Sequence, residues 1–299
     1  MSGRSRRLGG RTLLAGLAAA VTLALLSSCS GVSRSTSGAP VLRVVTGLYP
    51  LATAVEQIGG SKVEVTDVVP DGSNPRTYQA TAADKSAIVA AGLVVEEGGG
   101  FQPSLEAAAT GAAHVVSMSS SPPDGPYAWL DPASMHRYVA RLETAMIQAD
   151  PPAAPIFRAG AQAFEAEIDS TGIDYENTLS VCPHRSIFTP DRALSAMALA
   201  YGLQDVAVGT GAPNPDTLPT IASQVSSSGT GAVFAETWVD QRSVQALADA
   251  AGVKLSTIDT LTGAPAGGWP HQATYIQLLE VNLAALDRAL SCGGSGPGQ

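Results

Sequence analysis

From Val41 onward, short runs of β-branched and aliphatic residues alternate with longer stretches whose apolar residues recur every three or four positions. The first kind predicts strands and the second helices. Strands are expected at Val41–Thr46, Lys62–Val69, Leu93–Val95 and His114–Met118. Helices are expected between them, at Leu51–Ile58, Ala80–Ala91 and Ser104–Ala112. Thr81 with Asp84 three residues on forms a capping box for the second helix. Asp131 followed by Pro132 starts a helix to about Ala149, as N-cap and first-turn proline. Pro151-Pro152 opens another, long helix in which Phe157, Ala161, Phe164 and Ile168 share one face and read as a core-facing stripe.

The same rhythm returns further on. Strands are expected at Ser186–Thr189, Asp205–Val208, Ala232–Glu236 and Val253–Asp259, and helices at Ala193–Tyr201, Leu218–Ser226, Arg242–Ala251 and Gln272–Ser291. Strands alternating with helices predict an α/β fold with small, mostly parallel sheets. Asp71 to Pro75 break the chain after the second strand, and such loops are where α/β folds place ligand groups.

Composition adds an address. The chain has 299 residues, 45% hydrophobic and 14% charged, enough for a real core in one or two domains. Arg4, Arg6, Arg7 and Arg11 precede an apolar stretch from Leu13 to Leu26, which is too short for a comfortable membrane span and reads as a signal peptide. It ends in Leu26-Ser27-Ser28-Cys29, the pattern of a bacterial lipoprotein cleavage site. Cys29 is then the lipidated first residue of the mature chain; the alternative is a chance cysteine after an ordinary signal peptide. Cleavage removes four arginines and no acid, so the net charge moves from −9 to −13. An acidic exported chain argues against a nucleic-acid partner. Cys182 and Cys292 remain, an even pair that favours a disulfide in an oxidising compartment over two buried thiols.

An ordered series of motifs resembles the TroA-like zinc and manganese receptors, the cluster A-I solute-binding proteins of metal ABC transporters. The series begins with Tyr49-Pro50-Leu51, Gly59-Gly60 before Val63-Glu64-Val65, and Gly72 to Gln79. It continues with Trp129-Leu130-Asp131-Pro132, Ala200-Tyr201-Gly202-Leu203, Val233-Phe234-Ala235-Glu236, Ala251-Gly252-Val253 and Asn282 to Leu286, and spans about residues 41–292. The resemblance implies two lobes, each a small sheet flanked by helices, joined by one long backbone helix. The implied division is 1–28 signal peptide, 29–40 lipid-anchored flexible tether, 41–130 N-terminal lobe, 131–181 linking helices, 182–292 C-terminal lobe and 293–299 disordered tail. It also implies capture of one divalent ion, zinc or manganese, in the cleft, and docking on an ABC permease by a monomeric receptor that is anchored as a lipoprotein to the outer face of the cell membrane or is periplasmic. Some relatives carry cysteines near Cys182 and Cys292.

The family holds its ion with two histidines, a histidine or carboxylate, and an aspartate. Matched motif by motif, those positions here are Arg76, Tyr127, Asp191 and Asp259. Arginine has no lone pair to give, and tyrosine ligates only as phenolate, from a pKa near 10. Three readings stay open: an Arg76–Asp191–Asp259 charge cluster in place of the ion, with the protein acting through protein contacts; a retained metal with altered ligands, including Tyr127 and Glu236; and another small ligand. Arg192 is a second positive charge near Asp191. Glu236, at a strand end facing the cleft, is a backup ligand or a plain hydrogen-bonding residue.

His114, His136, His184 and His271 show no ligand spacing. His114 reads as structural and His136 as solvent-facing. Gly98-Gly99-Gly100 lacks the features of a phosphate loop and reads as a backbone turn. No nucleophile pattern stands out, so an enzyme is not expected.

Overall fold

A computed structural model describes residues 41–119, 127–211, 214–236, 238, 240–268 and 273–293. The expected signal peptide, Cys29, the tether, Gly125-Pro126, His271, Gln272 and the tail from residue 294 lie outside the described residues.

The first lobe runs β1 (Leu42–Thr46), α1 (Tyr49–Gly59), β2 (Val63–Asp67), α2 (Ala82–Ala90), β3 (Leu93–Glu96), α3 (Pro103–Ala109) and β4 (Val115–Ser117). Its four strands pair in parallel in the order β2-β1-β3-β4. β1 and β3 are central, and their aliphatic residues Leu42, Val44, Val45 and Leu93 to Val95 are buried, while Arg43 stays exposed. β2 is one of the two edge strands, and it stops at Asp67, short of the expected Val69. Val68 and Val69 turn inward beyond it and are buried. The predicted capping box is present: Asp84 N–H donates to Thr81 Oγ1 at 3.2 Å and Thr81 N–H to Asp84 Oδ2 at 2.7 Å.

Two long helices follow, α4 (Pro132–Ala149) and α5 (Ala154–Leu179). Asp131 caps α4 through the Ser134 N–H at 2.9 Å. The α5 stripe is buried at all four expected positions, with Phe157, Ala161 and Ile168 fully shielded. Each large side chain so buried contributes about 1.5–3 kcal/mol relative to exposure. α5 packs on α1 of the first lobe and on the C-terminal helix of the second, which makes it the beam between the lobes.

The second lobe runs β5 (Ser186–Thr189), α6 (Ser195–Ala200), β6 (Gln204–Ala207), α7 (Leu218–Ser227), β7 (Ala232–Glu236), α8 (Gln241–Ala251), β8 (Lys254–Ile258) and α9 (Tyr275–Leu290). The strands form two parallel ladders, β5–β6 and β7–β8, with β5 lying against β7. α9 begins at Tyr275, where Thr274 and Gln277 form a capping box. Cys182 and Cys292 are joined, tying the end of α5 to the end of α9 across 110 residues.

Candidate functional site

The loop after β2 carries Arg76 to the boundary between the lobes. Asn74 Oδ1 accepts the Arg76 N–H at 3.0 Å. The buried Gln102 amide donates to the carbonyls of Gly47 at 2.8 Å and Pro75 at 3.3 Å, which fixes the loop's end against β1. The guanidinium then lies over two rings, 5.3 Å from the Phe101 centroid and 5.7 Å from that of Tyr127. These rings meet edge to face at 5.3 Å, so the cation rests on a rigid aromatic corner.

Tyr127 is held at φ 64, a left-handed conformation uncommon outside glycine. Its ring is buried and its hydroxyl points at the charges. Arg76 Nη1 donates to Tyr127 Oη at 2.9 Å and to Asp191 Oδ2 at 2.7 Å, and Tyr127 Oη donates to the same carboxylate oxygen at 3.2 Å. Burial first, and then the charge of Asp191, push the phenol above its ordinary range, against the pull of Arg76. The phenol is therefore held protonated beside Arg76 and Asp191, where its hydroxyl serves as a hydrogen-bond donor. Partial burial works against the charge on Arg76, but Tyr127 and Asp191 outweigh it and raise its pKa.

Asp191 stands on the loop after β5. Beneath it, Thr189 donates to the buried Asp205 at 2.7 Å and accepts the Arg192 N–H at 3.1 Å, and Asp205 also accepts the Leu194 N–H at 3.0 Å. Burial raises Asp205's pKa, and these bonds partly offset it. From β7, Glu236 Oε1 accepts the Asp191 N–H at 3.3 Å. Glu236 is only 2% exposed, and burial, followed by the charge of Asp191, pushes it up to about 8. Asp191 Oδ1 is buried without a hydrogen-bond partner among the described residues.

The structure thus gathers Arg76, Tyr127, Asp191 and Glu236. Asp259 is tied to a local turn: its Oδ1 accepts the Leu261 N–H at 2.8 Å, and Asn282 holds its backbone N–H and carbonyl at 3.0 and 2.8 Å. Arg192 lies close enough to Asp205 to lower its pKa. Of the histidines, His136 pairs with Asp169 at 2.8 Å on the helix surface, His114 is exposed before β4, and His184 packs on Gly229. Among the described residues, no group of three or more His, Cys, Asp or Glu is arranged to hold a metal ion.

Sequence reasoning missed Phe101 and the Thr189–Asp205 brace. An aromatic directly after three glycines was the signal for the first. All three glycines have positive φ, so the turn aims Phe101 inward. An aspartate at the head of a predicted strand was the signal for the second.

Comparison with known proteins agrees with this architecture. Residues 44–289 match the family model ZnuA, described as zinc-uptake complex component A, periplasmic. The chain is 25% identical over 271 residues to the manganese-binding lipoprotein MntA of Halalkalibacterium halodurans, covering 84% of this chain and 89% of that one. It is 21% identical over 280 residues to the high-affinity zinc uptake system protein ZnuA of Bacillus subtilis, covering 83% and 88%. Among solved structures, the Zn(II)-bound ZnuA-like domain of Streptococcus pneumoniae AdcA superposes with TM-score 0.74 at 23% identity, covering 84% of this chain and 99% of that one. The metal-dependent lipoprotein YcdH of Bacillus subtilis gives 0.76 at 22%, covering 83% and 99%. The chain belongs to the ZnuA family, the solute-binding proteins of metal-binding ABC importers.

Proposed function

We propose that this protein is an exported, lipid-anchored member of the family whose cleft is bridged by Arg76 in place of a divalent cation, and which acts through protein contacts. The observation that carries the reading is the 2.7 Å ion pair from Arg76 on the first lobe to Asp191 on the second. A guanidinium on that carboxylate supplies one positive charge where the family's cargo would supply two. Glu236, buried beside it, favours its neutral form near pH 7 and asks for no second cation. The surface offered to a partner, an ABC permease by family membership, is then that of the closed receptor without cargo. Lipidation at Cys29, a monomeric state, the lobe limits 41–130 and 182–292 with linking helices 131–181, and the lack of enzymatic activity belong to the same proposal.

A second reading draws on one observation, the carboxyl groups of Asp191 and the buried Glu236 lying side by side. Two carboxylates suit a hard ion with oxygen ligands, and in this reading they bind a divalent cation once Arg76 swings away. Elemental analysis of protein purified without chelator separates the two. The first expects far less than one zinc or manganese per chain. Near-stoichiometric metal would reject it in favour of the second.

A further inference from the structure

Between β8 and α9 the second lobe lays a segment across the first. Every second carbonyl of that segment is taken by a first-lobe donor. Thr260 accepts the Trp129 indole N–H at 2.8 Å, Thr262 the Tyr49 N–H at 3.2 Å, and Ala264 the Gly72 N–H at 2.8 Å. The root of the segment is rigid. Leu261 is fully buried at φ 58, and that unfavourable conformation is held by the Asp259 carboxylate on its N–H. Trp238 Nε1 donates to Thr262 Oγ1 at 2.8 Å from the side.

Two of the three donors belong to fixed parts of the first lobe, the start of α1 and the buried Trp129. The third belongs to the loop that carries Arg76. Contact there is tight enough to dictate residue type. Gly72 has φ 80, and a Cβ on it would stand 2.9 Å from Ala266 Cβ. A Cβ on Gly263 would stand 3.0 Å from Pro75 Cγ.

We infer that residues 260–266 form a strap that pins the 71–76 loop to the second lobe, so that release of the Gly72–Ala264 bond is the movement that opens the cleft beside Arg76. The strap works whether the Arg76–Asp191 pair replaces a cation or merely coexists with one, although its consequence for access rests on the cleft lying there. Gly72 and Gly263 are positioning residues, for they let the loop come close enough for Arg76 to span the lobes.

Gly72 is an exposed loop residue, so without the strap its amide would exchange with solvent as a free loop amide does. Residue-resolved hydrogen exchange by NMR on the 41–293 portion within the full mature chain tests this. The strap predicts that the Gly72 amide exchanges at least about tenfold slower than a free loop amide. Gly72→Ala should abolish the slow exchange of the residue 72 amide while Tyr49 keeps its protection, because the clash is local to the strap's end. Arg76→Ala should leave both protected. Free-loop exchange of Gly72 in the unmodified protein would overturn the inference. So would loss of its protection in Arg76→Ala, since the ion pair and not the strap would then hold the loop. Tight metal binding by the unmodified protein would sink the arginine-for-cation reading and leave these exchange rates as predicted.

Discussion

Arg76 and Asp191, 115 residues apart in sequence, meet across the two lobes at 2.7 Å, with Tyr127 donating to the same carboxylate oxygen. The pair is not deeply buried: the side chains of Arg76 and Asp191 keep 46% and 22% of their surface exposed. That exposure sets its size. A wholly buried pair broken on one side costs about 3–5 kcal/mol, whereas exposed pairs are worth about 0.2–1 kcal/mol.

Arg76→Ala should therefore cost only about 1 kcal/mol of unfolding free energy, because water can reach Asp191 once the guanidinium is gone. A double-mutant cycle with Asp191→Ala, followed by urea unfolding, should return a coupling energy of about 0.5–1 kcal/mol that shrinks in high salt. Zero coupling at low salt would mean the contact does not hold the lobes together.

Glu236 should make stability pH-dependent in an unusual direction. Its pKa in the folded chain is raised from 4.5 to about 8, so the folded state keeps a proton that the unfolded state has lost. Stability linked to this group is present below pH 4.5 and is lost as pH rises through about 8. The steepest loss is about 1.4 kcal/mol per pH unit. Glu236→Gln removes this titrating group and should make the profile shallower between about pH 5 and 8, while buried Asp67, pushed up to about 7, keeps part of the slope. Chemical denaturation of both proteins across that range checks it. An equally steep fall in the glutamine variant would place the proton elsewhere.

The Cys182–Cys292 bridge closes a loop of 110 residues. In the chain-entropy picture such a loop stabilises by at most about 4–5 kcal/mol. Cys182→Ser with Cys292→Ser should lower the urea midpoint by several tenths of a molar or more without changing the zinc or manganese response. The two cysteines follow the ends of α5 and α9. An unchanged midpoint would show that packing of α9 on α5 carries the stability alone.

Much of this architecture could be read from local pattern. Strand and helix order, the Thr81–Asp84 box, the Asp131 cap and the α5 stripe each depend on residues a few positions apart. Asp191 was reachable by counting from neighbouring motifs. Which groups meet was less legible. Of the expected cluster of Arg76 with both aspartates, the Arg76–Asp191 contact spans 115 residues of sequence, and Asp259 Oδ1 accepts the Leu261 N–H on a sharp turn after β8, neither of which a local pattern encodes. The burial of Glu236 and the aromatic corner at Phe101 depend on lobe packing between residues far apart in sequence, which no periodicity encodes.

In the proposed function, the Arg76 guanidinium takes the place of the cation that zinc- and manganese-binding relatives hold. Calorimetric titration of zinc and manganese into the chelator-treated mature domain, alongside the Arg76→His, Tyr127→His double variant, tests it most directly. The unmodified protein should bind either metal no more tightly than about micromolar, and the double variant at least about 100-fold more tightly, because two imidazoles then face Asp191. Nanomolar affinity in the unmodified protein, lost in Asp191→Ala and not improved by the double change, would contradict the account.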